Sequence, residues 1–257
     1  MTRPRLDHVA GPGDAREMVL IAHGGQEHSL EEPHDWRHAL LRMWPLAQAA
    51  HRAAPRAQVG LLRYRYRGWN GDEAHAAADL RQVLGALPAG VERVALVGHS
   101  MGGRAVMSVL ADDGFPAAVG VLGLAPWLPV DEPAPRPRDG TLVVLAHGAL
   151  DRTVDPRLTT AFARRAREAG VPLALFEAAG EEHALLARHG DWDALVRRFV
   201  RSSLGTARDE DLARAVSADP DHGADPLPSW SARRGTPGAV ARIASSRLRL
   251  RVRARYG

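Results

Sequence analysis

The sequence predicts an α/β protein built on one doubly wound, mostly parallel sheet with helices on both faces. Three observations carry this expectation. Short apolar runs without polar alternation recur along residues 1–205, the pattern of strands buried on both faces. Segments of helical period separate them. The chain has 257 residues, 45% of them hydrophobic, which suffices for one large core, yet no apolar run approaches the roughly 20 residues needed to cross a bilayer.

In chain order, residues 18–22 (Met-Val-Leu-Ile-Ala) form the first expected strand, which ends at His23-Gly24-Gly25. Residues 59–62 form the second, and 72–87 have the pattern of a helix. Strands follow at 93–98, 119–124, 141–146 and 173–176, with helices after 100 and over 156–169. The last helix is the clearest, because Trp192, Leu195, Val196, Phe199 and Val200 fall on one apolar stripe at i, i+3, i+4, i+7 and i+8. The connection from Gln26 to Trp44 is long and reads as a partial lid, with Pro45 as the first residue of the helix after it.

Composition narrows the chemistry. The chain has no cysteine, so disulfides, a thiol nucleophile and cysteine-ligated zinc are excluded. All 34 basic side chains are arginine, which removes Schiff-base and Ser-Lys mechanisms. Residues 1–205 hold 24 arginines and 24 acids, so the net charge of +4 belongs to the remainder. Residues 226–257 contain eight arginines and no acid. Residues 206–257 therefore read as a disordered, Arg-rich C-terminal extension of a catalytic domain spanning 1–205. The neutral body argues against a specific nucleic-acid partner. Without an apolar leader after Met1, the cytoplasm is the expected location; the oligomeric state is left open.

The most informative segment is Gly98-His99-Ser100-Met101-Gly102, where an apolar strand breaks through Gly-X-Ser-X-Gly into a helix. That layout is a nucleophile elbow, whose glycines permit a tight strand-to-helix turn and leave Ser100 exposed above the sheet. Partners are expected at the carboxyl ends of later strands. Asp151 and His183 follow two of them in the order Ser, Asp, His: His183 as general base and Asp151 as the group that orients it. Asp155 competes with Asp151 but precedes Pro156 at a helix start, where it is explained as an N-cap. His189 competes with His183 but opens the final helix and is expected to be solvated, while His99 and His147 read as satisfied neighbours of the elbow and of the acid loop. An oxyanion hole would use the N–H of Met101 and that of Gly25, with Gln26 second to Gly25. Gln26, Trp36, Trp69 and Trp127 are candidates for the substrate pocket. In the stretch Arg63-Tyr64-Arg65-Tyr66-Arg67, arginines paired with surface acids are favoured over a substrate-selecting rim.

Together these segments resemble the α/β-hydrolase superfamily over about residues 15–205, and within it small bacterial hydrolases of the dienelactone-hydrolase or carboxylesterase-like type. The resemblance implies an eight-stranded sheet and a hydrolytic triad of Ser100, Asp151 and His183. Residues 125–140, where many relatives insert a helical cap, are short and carry five prolines, so a minimal cap or none is expected. The compact N-terminus suggests that the first strands of the full sheet are missing. The implied function is ester hydrolysis through an acyl-enzyme on a small-molecule substrate, with no metal or cofactor. Acyltransferase, thioesterase, amidase or perhydrolase chemistry on the same triad is the alternative; an inactive binding module of this fold ranks below both.

Overall fold

Successive residues of the central strands point to opposite faces, and both faces are covered, so nearly every position is apolar. In β2 (Glu17–Ala22), Val19 and Ile21 enter one core while Met18, Leu20 and Ala22 enter the other. In β4 (Arg93–His99), Ala95 and Val97 divide from Val94 and Leu96 in the same way. The computed structural model describes residues 3–34, 38–111, 115, 117–235, 238–241 and 243–245. Among these, eight strands form one sheet; the other six are β1 (Arg5–Ala10), β3 (Gln58–Arg63), β5 (Ala118–Leu124), β6 (Leu142–Gly148), β7 (Leu173–Ala178) and β8 (Asp225–Pro226). Their order is β1-β3-β2-β4-β5-β6-β7-β8, with β1 antiparallel to β3 and every other pairing parallel.

Helices α1 (His38–Ala53) and α5 (His189–Ser203) lie side by side over one face. The opposite face is covered by α2 (His75–Gly85), α3 (Met101–Val109) and α4 (Pro156–Glu168). The stripe expected on the last helix is fully buried, with Trp192, Leu195, Val196, Phe199 and Val200 each at most 1% exposed. No helix spans residues 125–140, so the sheet carries no large cap. Among the described residues, no helix is long and apolar enough to cross a membrane.

Four expectations are corrected. The sheet does have an N-terminal antiparallel strand, because β1 adds Leu6 and Val9 to the edge of β3. The segment 72–87 is a 3₁₀ turn at Gly71–Glu73 followed by α2, the two separated by Ala74 in a left-handed conformation. Pro45 lies inside α1 rather than at its start. Leu40, Leu41, Met43, Trp44, Leu46 and Ala47 are all buried, and their burial outweighs the one backbone bond that a proline deletes. Trp44 is thereby a core residue and not part of a lid.

The fourth correction concerns the C-terminal extension. Residues 206–235 are folded onto the body: α6 (Glu210–Val216) is capped by Asp209 and buries Leu212, and β8 pairs with β7 and leads into the buried Leu227. The Arg-rich run over 246–257 lies outside the described residues. Leu212 and Leu227 each bury side chains worth about 1.5–3 kcal/mol, a large share of a typical total of about 5–15 kcal/mol. Deleting the chain after Gly205 should therefore lower the melting temperature by roughly 10 °C or more. Calorimetry checks this; an unchanged melting temperature would mean the packed segment contributes nothing.

Candidate active site

The order of the sheet reverses between β2 and β4, so their carboxyl ends open onto one crevice. Ser100 stands there, between β4 and α3, at φ 55° and ψ −120°. Such a backbone costs about 1–3 kcal/mol and persists only where its surroundings fix it. Its N–H donates to the Leu124 carbonyl at 3.0 Å, and its carbonyl accepts from Trp127 N–H at 3.1 Å and Arg104 N–H at 3.2 Å. The flanking glycines are required by contact. A Cβ on Gly98 would strike the Gly102 carbonyl, one on Gly102 would strike the Ala22 carbonyl, and one on Gly103 would meet Pro126 Cβ at 2.7 Å.

The loop after β2 presses against this turn. A Cβ on Gly24 would lie 3.2 Å from Ser100 Cβ, and one on Gly25 would collide with the Met101 side chain. Gln26 N–H donates to the Arg67 carbonyl at 2.8 Å and is committed there. Among the described residues, no acceptor meets the N–H of Gly25 or of Met101. Both are therefore available to an oxyanion near Ser100.

Asp151 follows β6 and is buried, and each oxygen of its carboxylate has two donors. Oδ1 accepts from the Thr153 and Val154 N–H groups at 2.8 and 2.9 Å. Oδ2 accepts from His183 Nδ1 at 2.7 Å and from His147 Nε2 at 2.9 Å. Burial pushes the Asp151 carboxyl upward, but the bonds from His147, His183 and Val154 outweigh it and hold the group well below the usual carboxylate range. His183 is partly exposed and lies in the loop after β7. His99 reaches it from the strand that ends at Ser100: His99 Nε2 donates to the His183 carbonyl at 2.9 Å, and the two rings lie 4.9 Å apart. Burial, then the charges of His183 and Arg42, hold His99 well below its ordinary value, so its ring is neutral.

The rival residues take the bland roles. Asp155 caps α4 by accepting from Arg157 N–H at 2.9 Å. His189 opens α5 as expected but is buried rather than solvated. Among the proposed pocket residues, Gln26 is exposed, Trp127 is partly exposed beside the elbow and Trp36 lies outside the described residues. Trp69 is only 5% exposed and packs under the Arg104 guanidinium, which lies 4.0 Å from its ring centre and 4.7 Å from that of Trp127. The arginines after β3 are paired: Arg65 with buried Asp79 at 2.5 Å, Arg63 with Asp7 at 3.7 Å and Arg67 with Glu31.

His147 is the satisfied neighbour of the acid loop that the sequence suggested, but its direct bond to Asp151 was not foreseen. The signal was present in the i, i+4 spacing across a strand-to-loop turn, since His147 is the penultimate residue of β6. Thr159 Oγ1, 2.7 Å from His147 Nδ1, completes the set.

A sheet covered on both faces, with a serine raised on its central turn, defines the chain as an α/β-hydrolase. The model of the dienelactone hydrolase family matches residues 63–216, and the protein belongs to that family. It is accordingly an enzyme, a hydrolase of the carboxylic-ester type. No curated protein matches the sequence. Among solved structures, an esterase of the planctomycete Thermogutta terrifontis with butyrate bound gives a TM-score of 0.55 at 16% identity, over 80% of this chain and 91% of that one. The same esterase phosphonylated by sarin gives 0.54 at 16% identity, over 80% and 91%. Est1E from Butyrivibrio proteoclasticus gives 0.51 at 16% identity, over 78% and 93%. At these identities the likeness is one of fold.

Because its folded pKa is depressed, Asp151 contributes stability that is fully present above about pH 4 and is lost only as the pH falls through the lower folded value. The acid limb of kcat/KM should therefore show no proton uptake by Asp151 near pH 4. Proton uptake there that is lost in Asp151→Asn would show that Asp151 titrates in that range. Asp151→Asn, which turns an amide NH₂ toward imidazole N–H groups, should cost about 10³–10⁴-fold in kcat at neutral pH. Retention of kcat within tenfold would remove Asp151 from the site.

Proposed function

We propose that the protein cleaves a small-molecule carboxylic ester through a covalent acyl-enzyme on Ser100. His183 removes the Ser100 proton as Oγ attacks the ester carbonyl carbon, and the carbonyl electron pair moves onto oxygen. The N–H groups of Gly25 and Met101 stabilise that oxyanion. As the intermediate collapses, the bond to the alcohol oxygen breaks and His183 returns its proton to the leaving group. Water then repeats the sequence with His183 again as base, which releases the acid and restores Ser100. Asp151 fixes the His183 tautomer throughout.

The observation that supports this reading best is the coincidence at one end of the sheet of a strained, partly exposed Ser100 and the 2.7 Å bond from His183 Nδ1 to Asp151. No step requires a metal or an organic cofactor. The butyrate-bound form of the fold neighbour makes a butyrate ester a reasonable first substrate. A fluorophosphonate probe should label the protein, and Ser100→Ala should abolish the labelling while the circular dichroism spectrum is kept. Labelling that survives the substitution would overturn the assignment. Turnover of p-nitrophenyl butyrate should also survive EDTA, and a loss restored by added zinc or manganese would contradict the mechanism.

A further inference from the structure

Glu181 is only 1% exposed, although it lies two residues before His183 on a surface loop. Its carboxylate gathers four N–H donors. Oε1 accepts from the backbone of Glu182 and Ala187, both at 3.1 Å, and Oε2 accepts from Arg188 N–H at 2.7 Å and the Trp192 indole at 2.9 Å. One carboxylate thus ties both ends of the loop 182–188, which carries His183, to the first turn of α5. The Glu181 carbonyl joins the acid loop as well, accepting from Leu150 N–H at 2.9 Å. A Cβ on Gly148, at the end of β6, would strike that carbonyl.

The network continues into the C-terminal segment. Arg188 is buried and donates to Asp191 at 2.9 Å and to the Leu227 and Pro228 carbonyls at 2.8 and 3.1 Å. Gly235 N–H donates to the Ala187 carbonyl at 2.8 Å, and Ser231 N–H to Asp191 at 2.8 Å. The His183 loop is therefore held from the inside by Glu181 and from the outside by residues 227–235.

We propose that Glu181 is a positioning residue for His183, setting the height of the loop from which His183 bonds Asp151 and would serve Ser100, with Arg188 making the C-terminal segment part of that support. The proposal rests on the reading of His183 as the base. In Glu181→Gln, the amide NH₂ would face two of the four N–H donors, so half the loop's anchors are lost while side-chain volume is kept. A displacement on the order of 1 Å at a catalytic group costs up to about 10²-fold in rate.

The test is steady-state turnover of p-nitrophenyl butyrate by the full chain, normalised to sites counted by end-point labelling with a fluorophosphonate. Glu181→Gln should lower kcat per labelled site about tenfold or more with KM within about twofold. A purely structural role would reduce the number of labelled sites and the melting temperature, and leave kcat per site unchanged; that result overturns the proposal. Should Glu181→Gln fail to fold, Trp192→Phe removes one donor and keeps an aromatic ring, and it should lower kcat per site about fivefold at unchanged KM. Unchanged turnover in that variant overturns the proposal equally. A parent protein that is neither labelled nor active would overturn the hydrolytic reading itself, whereas a labelled, active parent with unaffected variants would overturn this proposal alone.

Discussion

The constraint on which the rest of the molecule depends is the reversal of the chain at Ser100. The backbone passes from β4 to α3 within one residue of positive φ, which is possible only if the strand, the helix and the loop after β2 approach closely. Gly98, Gly102 and Gly103 are the price of that approach, because each points at a neighbouring backbone or proline where a Cβ would collide. The neighbours are fixed in turn by the sheet register, in which Ala22 faces Gly98 on one side and Gly123 faces it on the other. A serine held this way does not have to be ordered by substrate, since its conformational cost is met by core packing on both faces of the sheet.

A second theme is the use made of arginine. With no lysine in the chain, the buried and half-buried cations are planar forks of five donors, and many of them bond backbone carbonyls where the chain ends or turns. Arg93 holds the Ser203 and Leu204 carbonyls at the end of α5. Arg167 holds the Leu173 carbonyl at the start of β7 and the His222 carbonyl before β8. Arg188 holds Leu227 and Pro228. An ammonium group is a compact point charge without this fixed geometry, so the same tethers would be weaker with lysine. The tethers also show why a segment as polar as 206–235 can remain docked: few of its residues are apolar, but the body supplies donors for its carbonyls.

The central sheet and the tight turn at Ser100 were legible because each is written in local sequence. Buried parallel strands need unbroken apolar runs, and the elbow needs its glycines at fixed positions around Ser100. What escaped was written in longer-range contacts. β1 reads Arg-Leu-Asp-His-Val-Ala, a half-exposed edge strand whose polar positions hide it among terminal residues. β8 has two residues, too few for any period to register. In the C-terminal segment the decisive residues are Leu212, Leu227 and the partly buried Trp230, spread so widely that composition reads as disorder. Pro45 misled because proline marks helix starts on average, whereas here five large apolar side chains around it decide the matter. The role of Glu181 was hidden for the same reason: a buried charge has no sequence signature of its own until the fold brings its partners together.

The arrangement around Asp151 shows how rigidity is divided among these groups. Two backbone N–H groups on Oδ1 and two imidazoles on Oδ2 leave the carboxylate no rotation that keeps all four bonds. His147 is itself fixed by Thr159 on α4, and so the acid is referenced to a helix on one face of the sheet. His183 is referenced to the other face, because Glu181 anchors its loop to Trp192 on α5. His99 joins the two by bonding the His183 carbonyl from the strand that carries Ser100. Asp151, His183 and Ser100 therefore depend on three different elements, and their relative placement is a property of the whole sheet sandwich rather than of any one loop.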